Sequence, residues 1–226
     1  MYIPPIVDKY QYLDLNRIDG SQRLYETPTG SLPSVTTILS ATDTEEDKAG
    51  LQAWRDFVGN AKADEIVKEA CTVGTFMHEN LENRMVGLPD HAGGMPIRVL
   101  ARRMADVVQE NAWPKINEIW GLEAKLYFDG LYAGTTDLVG VYNGIPAIMD
   151  YKNSRKPKSK SAISGYFMQG CAYALAHNLL YGTDIRTVVL FICVREDPKK
   201  LAYQEFLIEG EEFDMYNNMW IERVHK

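Results

Sequence analysis

Residues 134–152, GTTDLVGVYNGIPAIMDYK, hold the residue types most able to do chemistry in this chain. Two apolar runs, 138–142 and 145–149, flank Asn143-Gly144, a pair that strongly favours a two-residue β-hairpin turn. Asp137 opens the first run; Asp150 and Lys152 close the second. Residues two apart on a strand share a face, so Asp150 and Lys152 point together and Tyr151 points away. The hairpin folds Asp137 back toward Asp150. Two carboxylates beside one ammonium at the end of a buried strand pair is a poor arrangement for stability. It suits a divalent cation and an anionic substrate. Asp-x-Lys alone equally describes a surface hairpin with a salt-bridged end, so the neighbouring signals must decide.

Three such signals occur. Gly74 and His78 lie one helical turn apart, which would leave room beside the imidazole, and Glu82 follows one turn later on the same face, where it could orient the ring. A lone helical histidine also fits a packed or capped role. Gln169 and Tyr173 share a helix face and could contact phosphate oxygens, with Tyr173 able to stack on a base; an interhelix hydrogen bond would use the same pair. Residues 152–160 carry five basic side chains in nine and no acid. Arg155, Lys156 and Lys158 in this run fit either a solvated loop or one that tracks phosphates. Glu123 is a candidate outer-shell group, or a strand-edge partner of Lys125 or Arg155.

The elements that must position these residues can be read from periodicity. Residues 1–31 are polar and broken by proline and glycine, with a short strand at 23–25. Ser34 is a natural N-cap. Helices are expected at about 48–70, 73–87 and 95–112, the first with a stripe of Leu51, Trp54, Phe57 or Val58, and Ala61. Trp54 and Trp113 are expected in the core. Strands follow at 122–128, 131–141 and 146–152, then a polar loop, a helix at 162–181, strands at 186–194 and 201–208 around a turn at Asp197-Pro198, and a last helix at 211–224. That order fits one α/β domain built on a central mixed β-sheet flanked by helices, with a helical N-terminal cover.

With 226 residues, 46% of them apolar, the chain can bury a substantial core, and no apolar run reaches the roughly 20 residues that span a bilayer. The N-terminus lacks the pattern of a signal peptide, so a cytoplasmic location is expected. Its three cysteines are far apart, which argues against a disulfide framework, a zinc ribbon or an iron–sulfur cluster and for buried thiols. A net charge of −7 argues against a protein that coats DNA broadly, while leaving room for an enzyme with one local positive groove.

Taken in order, Gly74/His78, Gly134/Asp137, Asp150/Lys152 and Gln169/Tyr173 resemble the four motifs of the RecB-like branch of the PD-(D/E)XK nuclease superfamily. The segment LPSVTTIL at 32–39, upstream of Gly74-Thr75, extends the likeness to the mitochondrial genome maintenance exonuclease type and its phage relatives. The resemblance implies a restriction-endonuclease-like core and a single nuclease domain over 1–226, with 1–115 mostly helical and 116–226 forming the core. It implies a Mg²⁺- or Mn²⁺-dependent exonuclease acting on DNA, single strands foremost, in replication, recombination or repair. One or two ions would be held by His78, Asp137, Asp150 and the Tyr151 carbonyl, with Lys152 as the catalytic cation. Gln169, Tyr173, Arg155, Lys156 and Lys158 would contact DNA. A single-strand-binding protein or recombinase is the kind of partner implied, in a bacterial host's cytoplasm if the gene is a phage's. Two features depart from the pattern: Thr136, not proline, precedes Asp137, and the cysteines of cluster-bearing members are missing. The alternatives are a structure- or site-specific endonuclease on the same scaffold, or a non-catalytic nucleic-acid-binding or protein-interaction module.

Overall fold

A computed structural model describes residues 2–197 and 200–226, with the side chain of Asp197 left undescribed. The polar N-terminal region forms a small antiparallel sheet of β1 (Asn16–Asp19), β2 (Arg23–Thr27) and β3 (Gly30–Pro33). Ser34 then caps α1 (Val35–Ala41), its hydroxyl accepting the Thr37 N–H at 3.0 Å. Thr44 and Asp47 form a reciprocal capping box that starts α2 (Glu45–Val58). Gly59, at φ +84°, ends α2, and α3 (Asn60–Met85) begins directly after it. Proline occupies the first turn of α4 (Pro96–Ala112), where its missing N–H costs nothing.

The main sheet contains β4 (Ile116–Phe128), β5 (Tyr132–Tyr142), β6 (Ile145–Ser154), β7 (Val188–Asp197) and β8 (Lys200–Ile208), in that spatial order. Of the described pairings between its own strands, only β6–β7 is parallel, and α5 (Ser164–Tyr181) supplies its crossover; α6 (Gly210–Val224) follows β8. The mixed α/β sheet flanked by helices is the expected fold class, with the three-stranded sheet in addition. The β5–β6 turn is at Asn143-Gly144, with φ of +47° and +83°, as a type I′ hairpin requires. Alternation along β7 shows why its run is apolar throughout. Val188, Leu190, Ile192 and Val194 join the core under α5 and α6, whereas Val189, Phe191 and Cys193 join the core under α3 and α4. A sheet covered on both faces leaves its strand ends as the places where polar groups can gather.

Several expectations need correction. The stripe read on α2 is not a core stripe: the helix buries no residue, Leu51 is 55% exposed and Phe57 90%. Gly59 turns the chain and detaches α2 from the axis of α3, so the two short apolar rows never share one face. Trp54 is half-buried rather than core, while Trp113 is fully buried. No break separates 48–70 from 73–87; the break lies at Gly59, and α3 runs unbroken through Cys71 and Thr72. Cys71 is exposed, on the outer face of that helix, while Cys171 and Cys193 are buried, as expected of all three. The strand expected at 122–128 begins at Ile116, immediately after a 3₁₀ turn at Trp113–Lys115. The turn expected at Asp197-Pro198 lies outside the described residues. Among them, no helix is long and apolar enough to cross a membrane.

Candidate active site

Pairing between β5 and β6 runs from the hairpin turn to Leu138↔Met149, while β6 continues pairing with β7 through Ser154. Just beyond the last β5–β6 pair, the Tyr151 N–H donates to Asp137 Oδ2 at 2.7 Å. Asp137 thus replaces a ladder hydrogen bond with a side-chain one, which fixes its carboxylate beside Asp150. Asp150 is 4% exposed, and Lys152 Nζ lies 2.5 Å from its Oδ2, on the shared strand face. The Lys152 ammonium also sits 5.0 Å from the Tyr166 ring centre.

Helix α3 delivers the imidazole. His78 Nδ1 lies 3.4 Å from Asp137 Oδ2, and its ring meets Tyr151 edge-on at 5.9 Å. The expected nearness of His78 to Asp137 is therefore present. The role given to Gly74 differs: the space a Cβ would fill is taken by the Asn153 amide, whose Nδ2 would be 2.6 Å from it, so Gly74 lets α3 close on β6. Asn153 Nδ2 donates to the Ala70 carbonyl of α3 at 3.4 Å, across the same contact. Glu82 lines the cavity beside His78, whose ion-pair partner is Asp137.

Glu123 is more central than the sequence suggested. It lies on β4 between the pairs Leu122↔Leu138 and Ala124↔Thr136, and so opposite Asp137. Its φ of +49° is unusual for a non-glycine strand residue, the kind of outlier that gathers at functional sites. His78, Glu123 and Asp137 each offer a ligand atom within 4.8 Å of the others. One imidazole and two carboxylates, partly open to solvent, match the donor set a hard or borderline divalent cation takes. Lys125 and Arg155, the alternative partners of Glu123, pair instead with Asp14 and Glu69.

The charges here are strongly perturbed. Burial pushes the Glu123 carboxyl up to about 8, with the charges of Asp137 and Glu82 adding to it. Burial also raises Asp150, to about 6, even with the Lys152 ammonium opposing. Burial acts on Asp137 in the same direction, but the charge of and hydrogen bond with His78, then Lys152 and the Tyr151 N–H, hold it below the ordinary carboxylate range. His78 and Lys152 are correspondingly held above their ordinary values, the nearby aspartates outweighing burial. Acids crowded into one pocket and titrating differently are costly for folding and useful for binding cations.

These side chains line one cavity of about 490 Å³, which Gln169 and Tyr173 reach from α5. Gln169 Nε2 donates to the Tyr173 hydroxyl at 3.3 Å. Tyr173 leans across Gly134, where a Cβ would stand 2.7 Å from its Cε1. The basic loop is elsewhere. Arg155 pairs with Glu69 at 3.3 Å, and Arg155, Lys156 and Lys158 border a separate hollow with Trp54 and Ile66. Sequence reasoning missed Arg17, Arg23 and Tyr25, which line the same cavity from the N-terminal segment, and Glu79 from α3; Thr36, from the LPSVTTIL segment, lines it too. No motif marks Arg17, Arg23, Tyr25 or Glu79; only the fold brings residues 17–25 against β5.

No protein-family model matches the chain, and no curated protein is significantly similar to it. Among solved structures, the crystal structure of a protein named "Putative exonuclease" from Eubacterium rectale aligns at 11% identity and a TM-score of 0.51. The likeness is one of fold. The alignment covers 70% of this chain and 66% of that one, just under two-thirds of its length. A second structure, named SSO0001, aligns at 14% identity over 67% of this chain and 85% of that one, with a TM-score of 0.29.

Proposed function

We propose that this chain is a metal-dependent deoxyribonuclease, an exonuclease that hydrolyses phosphodiester bonds of DNA and acts foremost on single strands. The observation that carries this reading is the convergence of His78, Glu123 and Asp137 on one point, beside the Asp150–Lys152 ion pair, in a single cavity. The fold it shares with the Eubacterium rectale protein supplies a compatible scaffold; the chemistry rests on these residues.

His78, Glu123 and Asp137 would hold a Mg²⁺ or Mn²⁺ ion, with Asp150 and the Tyr151 carbonyl as further oxygen donors. When bound, the cation would lower the pKa of a coordinated water and offset charge on the scissile phosphate. Lys152 keeps Asp150 ionised in a buried site and presents a fixed positive charge where negative charge develops on the phosphate. The Gln169 amide and the Tyr173 hydroxyl line the cavity as donors to phosphate oxygens. The Tyr173 ring, 4% exposed and packed across Gly134, has no open face for a base, so it does not fill the stacking role expected of it. The Tyr151 N–H orients Asp137, so that carboxylate needs no reorganisation when substrate arrives.

Time-resolved product analysis on 5′- and 3′-labelled single and double strands, with Mg²⁺, Mn²⁺ or chelator, tests this. Metal-dependent release of short products from linear single strands, with closed circles left intact, is expected. Cutting of covalently closed circles would make the enzyme an endonuclease. Failure to cut any DNA with either metal would refute the nuclease reading.

A further inference from the structure

The cavity wall contributed by the N-terminal sheet carries two arginines with no part in the chemistry above. Arg17 on β1 and Arg23 on β2 both line the catalytic cavity, and Asp19 lies between them. Arg17 Nε donates to Asp19 Oδ2 at 2.9 Å, and Arg23 Nε donates to Asp19 Oδ1 at 2.9 Å. One carboxylate thus holds two guanidinium groups together, and the trio keeps a net positive charge. The Lys152 ammonium, by contrast, is offset by Asp150 at 2.5 Å. The remaining wall is rich in acids, among them Glu79, Glu82 and Glu123, so a polyanion entering this cavity meets its attraction at the arginines.

Their place is fixed. The Tyr25 hydroxyl is 3.1 Å from Thr135 Oγ1 on β5, two residues from Asp137, and the Arg23 carbonyl accepts the Ser34 N–H at 2.9 Å. Arg23 and Thr36 also border a second cavity of about 520 Å³, so the two spaces adjoin. That second trough is lined by the neutral polar side chains of Ser21, Gln22, Thr37 and Ser40, able to face a sugar–phosphate backbone, and by Asp19, whose carboxylate is already paired with both arginines. Guanidinium forks suit phosphate oxygens better than ammonium groups do.

We infer that Arg17 and Arg23 form a phosphate-binding subsite that grips a phosphate of the substrate strand adjoining the one being cut, the strand continuing along the Ser/Thr-lined trough. This rests on the nuclease reading for the identity of the strand. The subsite would make the N-terminal sheet part of substrate recognition and would set which side of the scissile bond the enzyme holds.

The test is anisotropy binding of a fluorescent oligonucleotide of one sequence, carrying a 5′-phosphate, a 3′-phosphate or neither, to the full chain in chelator over a salt series. Arg17→Gln/Arg23→Gln should bind severalfold more weakly. Its log–log salt slope should be shallower by about 0.7 for each phosphate of the single strand that the arginines no longer neutralise. Arg17→Lys/Arg23→Lys should recover the slope, because charge is retained. The two single glutamine variants give the same comparison if melting shows the double variant unfolded. Weakening confined to phosphorylated ends assigns a terminal phosphate; equal weakening on all three assigns an internal one; either supports the subsite. Unchanged affinity and slope in the glutamine variants, or no binding by the wild-type chain at the lowest salt, overturns it. The nuclease reading fails separately, by absent cleavage with Mg²⁺ and Mn²⁺ while the arginine effect on binding persists.

Discussion

Replacing Gly134 by alanine probes how the site is packed. The added Cβ would stand 2.7 Å from Tyr173 Cε1, 3.0 Å from its hydroxyl and 3.3 Å from Cζ. Carbon atoms rest at about 3.5–4.0 Å, so the ring must retreat by nearly 1 Å. Tyr173 is 4% exposed and its helix packs on the sheet, so the ring can only turn away from its rotamer. Overpacking of this kind costs about 1–3 kcal/mol, and the loss of glycine freedom in the unfolded chain returns about 0.4–1 kcal/mol. A net destabilisation of about 1–2 kcal/mol is expected, read as a fall in Tm of about 2–8 °C for a domain of this size. The decisive assay is a double-mutant cycle with Tyr173→Leu, whose side chain stops short of the three clashing atoms. In that background Gly134→Ala should be neutral or stabilising, giving a coupling of about 1–2 kcal/mol. If the glycine substitution costs the same in both backgrounds, the close approach of Tyr173 is not why position 134 is glycine.

Other expectations follow from the same geometry. Asp137→Asn should fold, because its amide oxygen can still accept the Tyr151 N–H, yet weaken Mn²⁺ binding by more than about tenfold by calorimetry; unchanged affinity would remove Asp137 from the ligand set. Glu123, raised by burial to about 8, binds a proton that the unfolded chain has lost, so it contributes instability that grows as pH rises from about 4.5 to 8. Glu123→Gln should therefore melt higher than the wild type at pH 8, in metal-free buffer, while binding Mn²⁺ more weakly; a lower Tm would contradict this. His177 is fully buried, bonded to Tyr12 at 3.0 Å and Thr183 at 2.8 Å, and burial, aided by the Lys9 charge, lowers its pKa to about 4. The unfolded chain then binds the extra proton between about pH 6.5 and 4, so stability is lost as pH drops through that window. The loss is at most about 2.5 kcal/mol at pH 4.5. Denaturant titrations should show His177→Gln losing less stability than the wild type between pH 7 and 4.5; equal losses would refute the assignment.

Much of the fold was legible because its signals were local. Asn143-Gly144 marked the turn, the continuous apolar runs of β6 and β7 marked buried strands, and Ser34 marked a helix start. Asp137, Asp150 and Lys152 could be grouped because one hairpin carries all three. His78 needed a resemblance to be joined to them, since nothing in sequence distance brings α3 to β5. Glu123 was underweighted because the pairing register of β4 with β5, which sets it opposite Asp137, is not written in the sequence between them. The α2 stripe misled because periodicity cannot see that Gly59 ends the helix before a partner is reached. Arg17 and Arg23 were invisible for another reason: isolated arginines in a polar segment gain meaning only when the three-stranded sheet sets them against the cavity.

The most direct measurement is cleavage of an end-labelled single strand by wild-type and Lys152→Ala chains across one Mn²⁺ titration. The wild type should cut with saturating dependence on Mn²⁺, and Lys152→Ala should remain folded while its rate falls at least about a hundredfold at every concentration. Equal rates for the two chains, or wild-type cutting that persists in chelator, would contradict a cation-and-lysine centre built on Asp137 and Asp150.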